Sequence, residues 1–240
     1  MEKQIVLFED LGVMDYKTAW DYQERLLQEN LKIKADFNSR GAAAGRGEQP
    51  ATVNRLLFVE HPPVYTLGKS GKIENVLINE QDREQRGIQF FHTNRGGDIT
   101  FHGPQQIVGY PIFDLEKFYT DIGRYLRELE EVIILVLAEY GIVAGRSPGE
   151  TGVWIDAHLK GQERKICAMG VRCSRWITMH GFALNVNTDL TYFNHIVPCG
   201  IQNKKVTSIK AELGREVDME DVKKKLLKAF AQVFAIEIAR

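Results

Sequence analysis

Cysteine is scarce and odd in number. The chain holds three, Cys167, Cys173 and Cys199, too few for a disulfide framework. Cys167 and Cys173 stand six apart with no second Cys or His pair at zinc-site spacing, so no structural zinc is expected. Such a set suits a reducing compartment, and a cytoplasmic location is the expectation. An excess of one charge is also missing. Lys and Arg number 31 against 32 Asp and Glu, a net charge of −1, which argues against the broad basic surface that nucleic-acid binding needs. Long apolar runs are absent too. The first, at residues 5–8, is closed by Glu9 and Asp10, too short for a signal-peptide core. None approaches the roughly 18 residues of a membrane span, so no membrane partner is expected.

What is present is an ordinary globular composition, 44% hydrophobic and 26% charged over 240 residues. No internal repeat and no clear linker divides the chain. Residues 5–8 read as a short buried strand. Residues 16–27 carry Ala19, Tyr22, Leu26 and Leu27 at helical spacing. Residues 38–51 (NSRGAAAGRGEQPA) are rich in Gly, Ala and charge without periodicity. They read as a flexible surface loop, because such a composition does not offset its ordering entropy. Residues 55–60 (RLLFVE) read as a strand stopped at His61-Pro62-Pro63.

The strongest helical pattern spans 121–140, with Gly141 where a C-terminal cap belongs. A second spans 220–236, apolar at Val222, Leu226, Phe230, Val233 and Phe234, with Asp218 as its N-cap. Residues 152–156, 165–172, 176–178 and 182–186 are strand-like and separated by turn residues. Helices and strands alternate without a regular β-α-β rhythm. The expected class is therefore α+β, with mixed β-sheets flanked by helices.

Two glycine-rich stretches resemble nucleotide loops and lack their essentials. Gly68-Lys69-Ser70 has Pro63 where a phosphate-binding loop needs its first glycine, and proline offers no N–H to a phosphate. Gly45-Arg46-Gly47 has no run of basic residues leading into a strand. The six histidines form no i,i+4 pair on a helix, so nothing points to a metal.

Three segments carry chemistry. In the first, Arg95-Gly96-Gly97-Asp98-Ile99-Thr100-Phe101-His102 runs on through Gly103-Pro104-Gln105-Gln106. Its paired glycines let backbone approach a ligand closely, and the alternation after them suits a strand lining a pocket. In the second, Lys165 opens the apolar run Ile166-Cys167-Ala168-Met169-Gly170. A lysine at the edge of a core serves as a base when desolvated, or it simply snorkels. In the third, Pro198-Cys199-Gly200 places a thiol between a residue that restricts φ and one that frees it. That turn holds a thiol outward, with backbone N–H groups near a developing oxyanion. Cys167 and Cys173 lie on strand-like segments and fit buried packing.

Together these segments resemble the lipoyl(octanoyl) transferase family. The family pattern is matched by EHPPVYTLG at 60–68, the Arg95 segment, the Lys165 segment, Thr178-Met179-His180-Gly181-Phe182-Ala183-Leu184-Asn185, Asp189-Leu190 with Phe193, and Pro198-Cys199-Gly200. One departure is visible: Gln105 stands where the family has glycine. The resemblance implies one catalytic domain over 1–240, folded like the catalytic domain of biotin and lipoate protein ligases, with 38–51 as an inserted loop. It implies Cys199 as an acyl-thioester nucleophile, Lys165 as the residue that activates it, and His102 nearby in support. It implies an acyl pocket formed by Arg95, Gly96, Gly97, Asp98, Ile99, Thr100, Phe101 and His102, by Ala168, Met169 and Gly170, and by Gly181, Phe182 and Ala183. The implied donor is octanoyl-acyl carrier protein. The implied acceptors are lipoyl domains of 2-oxoacid dehydrogenase complexes and the glycine cleavage H protein. No ATP or metal is implied.

The residues alone leave Lys165 as neutral base or ammonium partner of the thiolate. They also leave three rivals: an ATP-dependent lipoate ligase, an amidotransferase between lipoyl-domain proteins, and a non-catalytic acyl-binding module.

Overall fold

The computed structural model describes residues 3–39, 49–197 and 205–240. The chain opens with strand β1 (Ile5–Val13) and helix α1 (Tyr16–Ser39), then β2 (Asn54–Glu60), β3 (Val64–Leu67), the short helix α2 (Glu80–Gln85) and β4 (Gln89–His92). Strands β5 (Ile99–His102) and β6 (Gln106–Ile112) lead to α3 (Ile122–Glu139). Next come β7 (Ala144–Gly145), β8 (Val153–Ile155), β9 (Arg164–Ser174) and β10 (Ile177–Asn185). The chain ends with β11 (Lys205–Val206), α4 (Ile209–Leu213), α5 (Met219–Val233) and β12 (Glu237–Ala239).

Nine strands form one sheet in the order β12-β1-β2-β6-β10-β9-β8-β7, with β11 on β9. The pairings of β1 with β2 and β12 and of β11 with β9 are parallel, and those from β2 across to β7 are antiparallel. A second sheet has the order β4-β3-β5. The architecture is the expected mixed α+β.

Strand β2 reads as a continuous apolar run because it is buried on both faces. Leu56 and Phe58 join the core under α3 and α5, with Tyr125, Leu129, Val132, Val222, Leu226 and Phe230. Leu57 and Val59 face α1, with Ala19, Leu26 and Leu27. Asp218 caps α5 as expected, and α3 has an N-cap of its own in Asp121. Asp121 accepts from the Arg124 amide and Asp218 from the Glu220 amide. Gly141, at φ +73°, ends α3.

Several boundaries move. Strand β1 extends to Val13 rather than residue 8. Helix α1 runs twelve residues past Leu27, to Ser39. Its later buried positions are polar: Asn30 exchanges two hydrogen bonds with the Val53 backbone, and Lys34 pairs with the fully buried Asp114. Apolar periodicity is blind to such a face. The stretches 176–178 and 182–186 are parts of one strand, β10, buried throughout. Trp176 belongs to the hairpin turn before it. Arg175 and Trp176 both have positive φ there, at 47° and 67°, which matches the twist of a two-residue hairpin. Of the expected 38–51 loop, 38–39 close α1 and 40–48 lie outside the described residues. Among the described residues, no helix is long and apolar enough to cross a membrane.

Candidate active site

A cavity of about 430 Å³ opens on the α1 side of the large sheet and is walled by both sheets. Strand alternation builds its floor. Gln106, Val108 and Tyr110 of β6 and Gly181, Ala183 and Asn185 of β10 border it, while Ile107 and Leu184 between them enter the α3/α5 core. The residue pairs Ala168–Ala183 and Gly170–Gly181 lie opposite each other across β9 and β10, and their smallness leaves the space open. At Gly170 a Cβ would stand 2.6 Å from the Gly96 carbonyl, and at Gly181 a Cβ would stand 2.2 Å from the Gly109 carbonyl. The 95–97 backbone and the β6 backbone therefore approach the floor as closely as glycine permits.

Lys165 reaches this cavity because β9 is bulged. Val153 opposes Cys167 and Trp154 opposes Lys165, so the partner strand advances one residue while β9 advances two. Ile166 is the extra residue. Ile166 and Cys167 both point into the α3/α5 core and are fully buried, while Lys165 and Ala168 both border the cavity. Regular alternation would have set Lys165 and Ala168 on opposite faces; the bulge re-aims one of them. Burial pushes the Cys167 thiol well above its ordinary pKa, which suits inert packing.

The roof is the first sheet's segment. Arg95 is 7% exposed and donates to the Thr66 carbonyl and hydroxyl at 2.6 and 2.9 Å. Behind it lie three neutral imidazoles. Burial pushes His61 down to about 4 and His180 down to about 3, and it holds His102 far below the ordinary histidine range, with the nearness of His61 and the Arg95 charge adding. His61 sits between the Met14 carbonyl and the Tyr110 hydroxyl, at 2.8 and 2.7 Å.

Of the expected pocket residues, Arg95, those at 97–100, His102, those at 168–170 and those at 181–183 border the cavity, as does Lys165. Two do not. Phe101 turns to the opposite side of β5, where its ring stacks on Tyr192 at 4.5 Å. Gly96 is occupied in a backbone bond to the Val171 carbonyl at 2.9 Å. Phe182 borders the cavity, but its ring packs with those of Phe58 and Phe230 in the core. Cys199 lies outside the described residues.

Sequence reading gave no site role to Tyr16, Tyr110 or His180, which border the cavity beneath α1, or to residues 149–151, which border it beside Lys165. The Gly149-Glu150-Thr151-Gly152 turn was a usable signal. Glu130, fully buried on α3, anchors it by accepting from the Gly152 amide at 3.0 Å and from Arg146. His180 carried a subtler signal, a histidine before glycine. It is held at φ +58° inside a buried strand, a strained conformation characteristic of working sites.

The lipoyl protein ligase A/B catalytic domain family matches residues 15–231. An octanoyltransferase of Flavobacterium johnsoniae is 59% identical over 241 residues, covering 99% of this chain and 100% of the relative. One of Christiangramia forsetii is 55% identical over 239 residues, 99% of each chain. Among solved structures, a bipartite lipoate protein ligase from Thermoplasma acidophilum superposes with a TM-score of 0.67 at 17% identity, covering 100% of this chain and 86% of that one. Lipoate-protein ligase A bound with ATP gives 0.67 at 15% identity, covering 100% and 88%. The likeness to these ligases is one of fold. With near-complete coverage at more than half identity, the chain belongs to the octanoyltransferases of the lipoyl protein ligase A/B catalytic-domain family and is an acyltransferase.

Proposed function

We propose that the protein transfers an octanoyl group from octanoyl-acyl carrier protein to a lysine of lipoyl domains, through a thioester on Cys199. The observation that carries this reading is a cavity that gathers the β5, β9 and β10 segments, with Lys165 on its wall. The described chain on either side of 198–204 also supports it. Phe193 and Val206 border the cavity. Val197 donates to the Asn75 carbonyl at 2.8 Å, Lys205 and Val206 pair with Arg164 and Lys165, and Thr207 donates to the Lys165 carbonyl at 3.0 Å.

In the first half-reaction the Cys199 thiolate attacks the octanoyl carbonyl. The enzyme C–S bond forms, the donor C–S bond breaks, and the departing thiolate takes the proton that the Cys199 thiol gave up. An unperturbed thiol is only a few per cent ionised at neutral pH, so Lys165 is assigned to favour the thiolate. In the second half-reaction a neutral lysine amine of the acceptor attacks the acyl-enzyme. An amide C–N bond forms, the enzyme C–S bond breaks with Cys199 leaving as thiolate, and the amine proton passes to that sulfur or to solvent. Exchange between thioesters is nearly even and thioester to amide runs downhill, so neither ATP nor a metal is called for. The apolar floor retains the chain at about 0.8 kcal/mol per buried methylene. His102, neutral and engaged at both ring nitrogens, shapes the site without relaying a proton. The acceptors are lipoyl domains of 2-oxoacid dehydrogenase complexes and the glycine cleavage H protein, met in the cytoplasm.

Intact mass after mixing with octanoyl-carrier protein tests this. The wild type gains one octanoyl group without ATP, and Cys199→Ala gains none. An adduct on Cys199→Ala, or wild-type transfer by Lys165→Ala, overturns the assignment.

A further inference from the structure

We propose that Trp154 is the positioning residue that holds the Lys165 ammonium at the cavity wall. The inference rests on the acyl-transfer reading above for its kinetic consequence, and on two observations for its geometry. Lys165 Nζ stands over the Trp154 ring, 4.5 Å from its centre. Trp154 and Lys165 are also directly opposed across β8 and β9, and they share a face only because of the bulge at Ile166. Without the extra residue, Trp154 would oppose Ile166, and Lys165 would fall opposite Ile155 on the core face and lose its platform. Trp154 is 2% exposed and Lys165 8%, so the contact is desolvated, where an ammonium over an indole face is strongest.

A lysine carries four rotatable bonds and much side-chain entropy. The indole face confines the nitrogen to one place. Thr207 bonds the Lys165 carbonyl. Glu130 fixes Gly152, where an added Cβ would stand 3.5 Å from Lys165 Cε. Arg164, its chain neighbour, is turned to Glu212 and Asp156. Trp154 alone among these meets the head group through a π face. The bulge and the indole thus form one device: the first aims the lysine and the second keeps it there.

Two measurements test this. In protein labelled with carbon-13 at lysine Cε, with the Lys165 signal identified by its loss in Lys165→Arg, the Lys165 ε-protons resonate upfield of the other lysines through the indole ring current. Trp154→Leu returns them to the common position, and Trp154→Phe keeps part of the shift. In single-turnover acylation by octanoyl-carrier protein, Trp154→Leu loses about 3- to 30-fold in rate, the range of a buried cation–π contact. Half-saturation changes little, and Trp154→Phe recovers most of the rate. Unshifted Lys165 ε-protons in the wild type overturn the proposal whether or not Trp154→Leu folds. So does a folded Trp154→Leu that acylates at the wild-type rate. If the wild type forms no adduct, the octanoyl reading falls while the ring-current result still decides the role of Trp154.

Discussion

Nδ1 of His102 lies 2.9 Å from Oε1 of Gln106, and this contact decides which lone pair the imidazole offers its surroundings. The Gln106 amide nitrogen donates to Asn185 Oδ1 and to the Phe101 carbonyl, at 2.8 and 3.1 Å. Its oxygen is therefore an acceptor, and His102 carries its proton on Nδ1. His102 Nε2 then accepts from the Thr66 hydroxyl, which itself accepts from Arg95. Asn185 continues the series by donating to the Thr207 carbonyl at 2.9 Å. Every donor from Arg95 to Thr207 points the same way. Such chains polarise one another, and their members stand or fall together.

Replacing Gln106 by leucine strands the His102 N–H, the Asn185 oxygen and the Phe101 carbonyl. At about 1–3 kcal/mol for an unsatisfied buried group, partly relieved by rearrangement, Gln106→Leu loses about 2–4 kcal/mol in urea unfolding. Nitrogen-15 spectra of histidine rings report the Nδ1–H form of His102 in the wild type and a mixture in the variant. A variant as stable as the wild type would show that the series carries no load.

Acid weakens the fold through its buried imidazoles. The folded state holds His61 at about 4 against an ordinary 6.5, because burial penalises the cation. Above pH 6.5 neither the folded nor the unfolded state carries the proton, and stability is full. Below it the unfolded chain binds the proton first, so stability falls until the pH reaches about 4. At about 1.4 kcal/mol per pH unit this single group accounts for roughly 3 kcal/mol, and His180 works in the same sense. Urea midpoints near neutrality and near pH 5 measure the slope, and His61→Phe lowers it. Equal midpoints in the wild type would contradict the neutral imidazoles.

Gln105 occupies a left-handed conformation, φ +63°, that glycine adopts freely. Its neighbours hold it there. The Gln105 amide donates to Glu60 at 2.8 Å, and its carbonyl accepts from the Asn187 amide and the Thr188 hydroxyl. Gln105→Gly relieves the strain but loses the side-chain bond from Asn187, leaving stability within about 0.5 kcal/mol of wild type. Gln105→Val, β-branched at positive φ, destabilises by about 1–2 kcal/mol. Thermal unfolding of the two variants separates these outcomes.

Ala183 faces its partner Ala168 on the cavity floor. Ala183→Leu fills space that an acyl chain would occupy. It lowers the rate for octanoyl donors at least about 10-fold, the equivalent of two or three methylenes displaced, while a butanoyl donor loses less. A uniform loss for both donors would mean the sheet has shifted instead.

The gathering of the β5, β9 and β10 segments into one site was implied by the family resemblance, whereas the helices at 122–139 and 219–233 and the strand at 54–60 are local facts of pattern. Their caps, apolar spacing and glycines act over a few residues, so the linear chain displays them. The second half of α1 was hidden for a matching reason: Asn30 and Lys34 are buried against partners 23 and 80 residues away, and no periodicity of apolar residues records a polar buried face.

The amino-acid order by itself determined the fold class, the cap positions and the set of residue types available for acyl transfer, because those follow from local propensity and motif chemistry. Only the tertiary structure decided which side chains meet. A single extra residue in β9 turns Lys165 toward Trp154 and the cavity and sends Ile166 and Cys167 together into the core. The pairing of Phe101 with Tyr192 takes that ring out of the site. Both outcomes depend on strand register, which is set by contacts between distant segments and leaves no local mark in the chain.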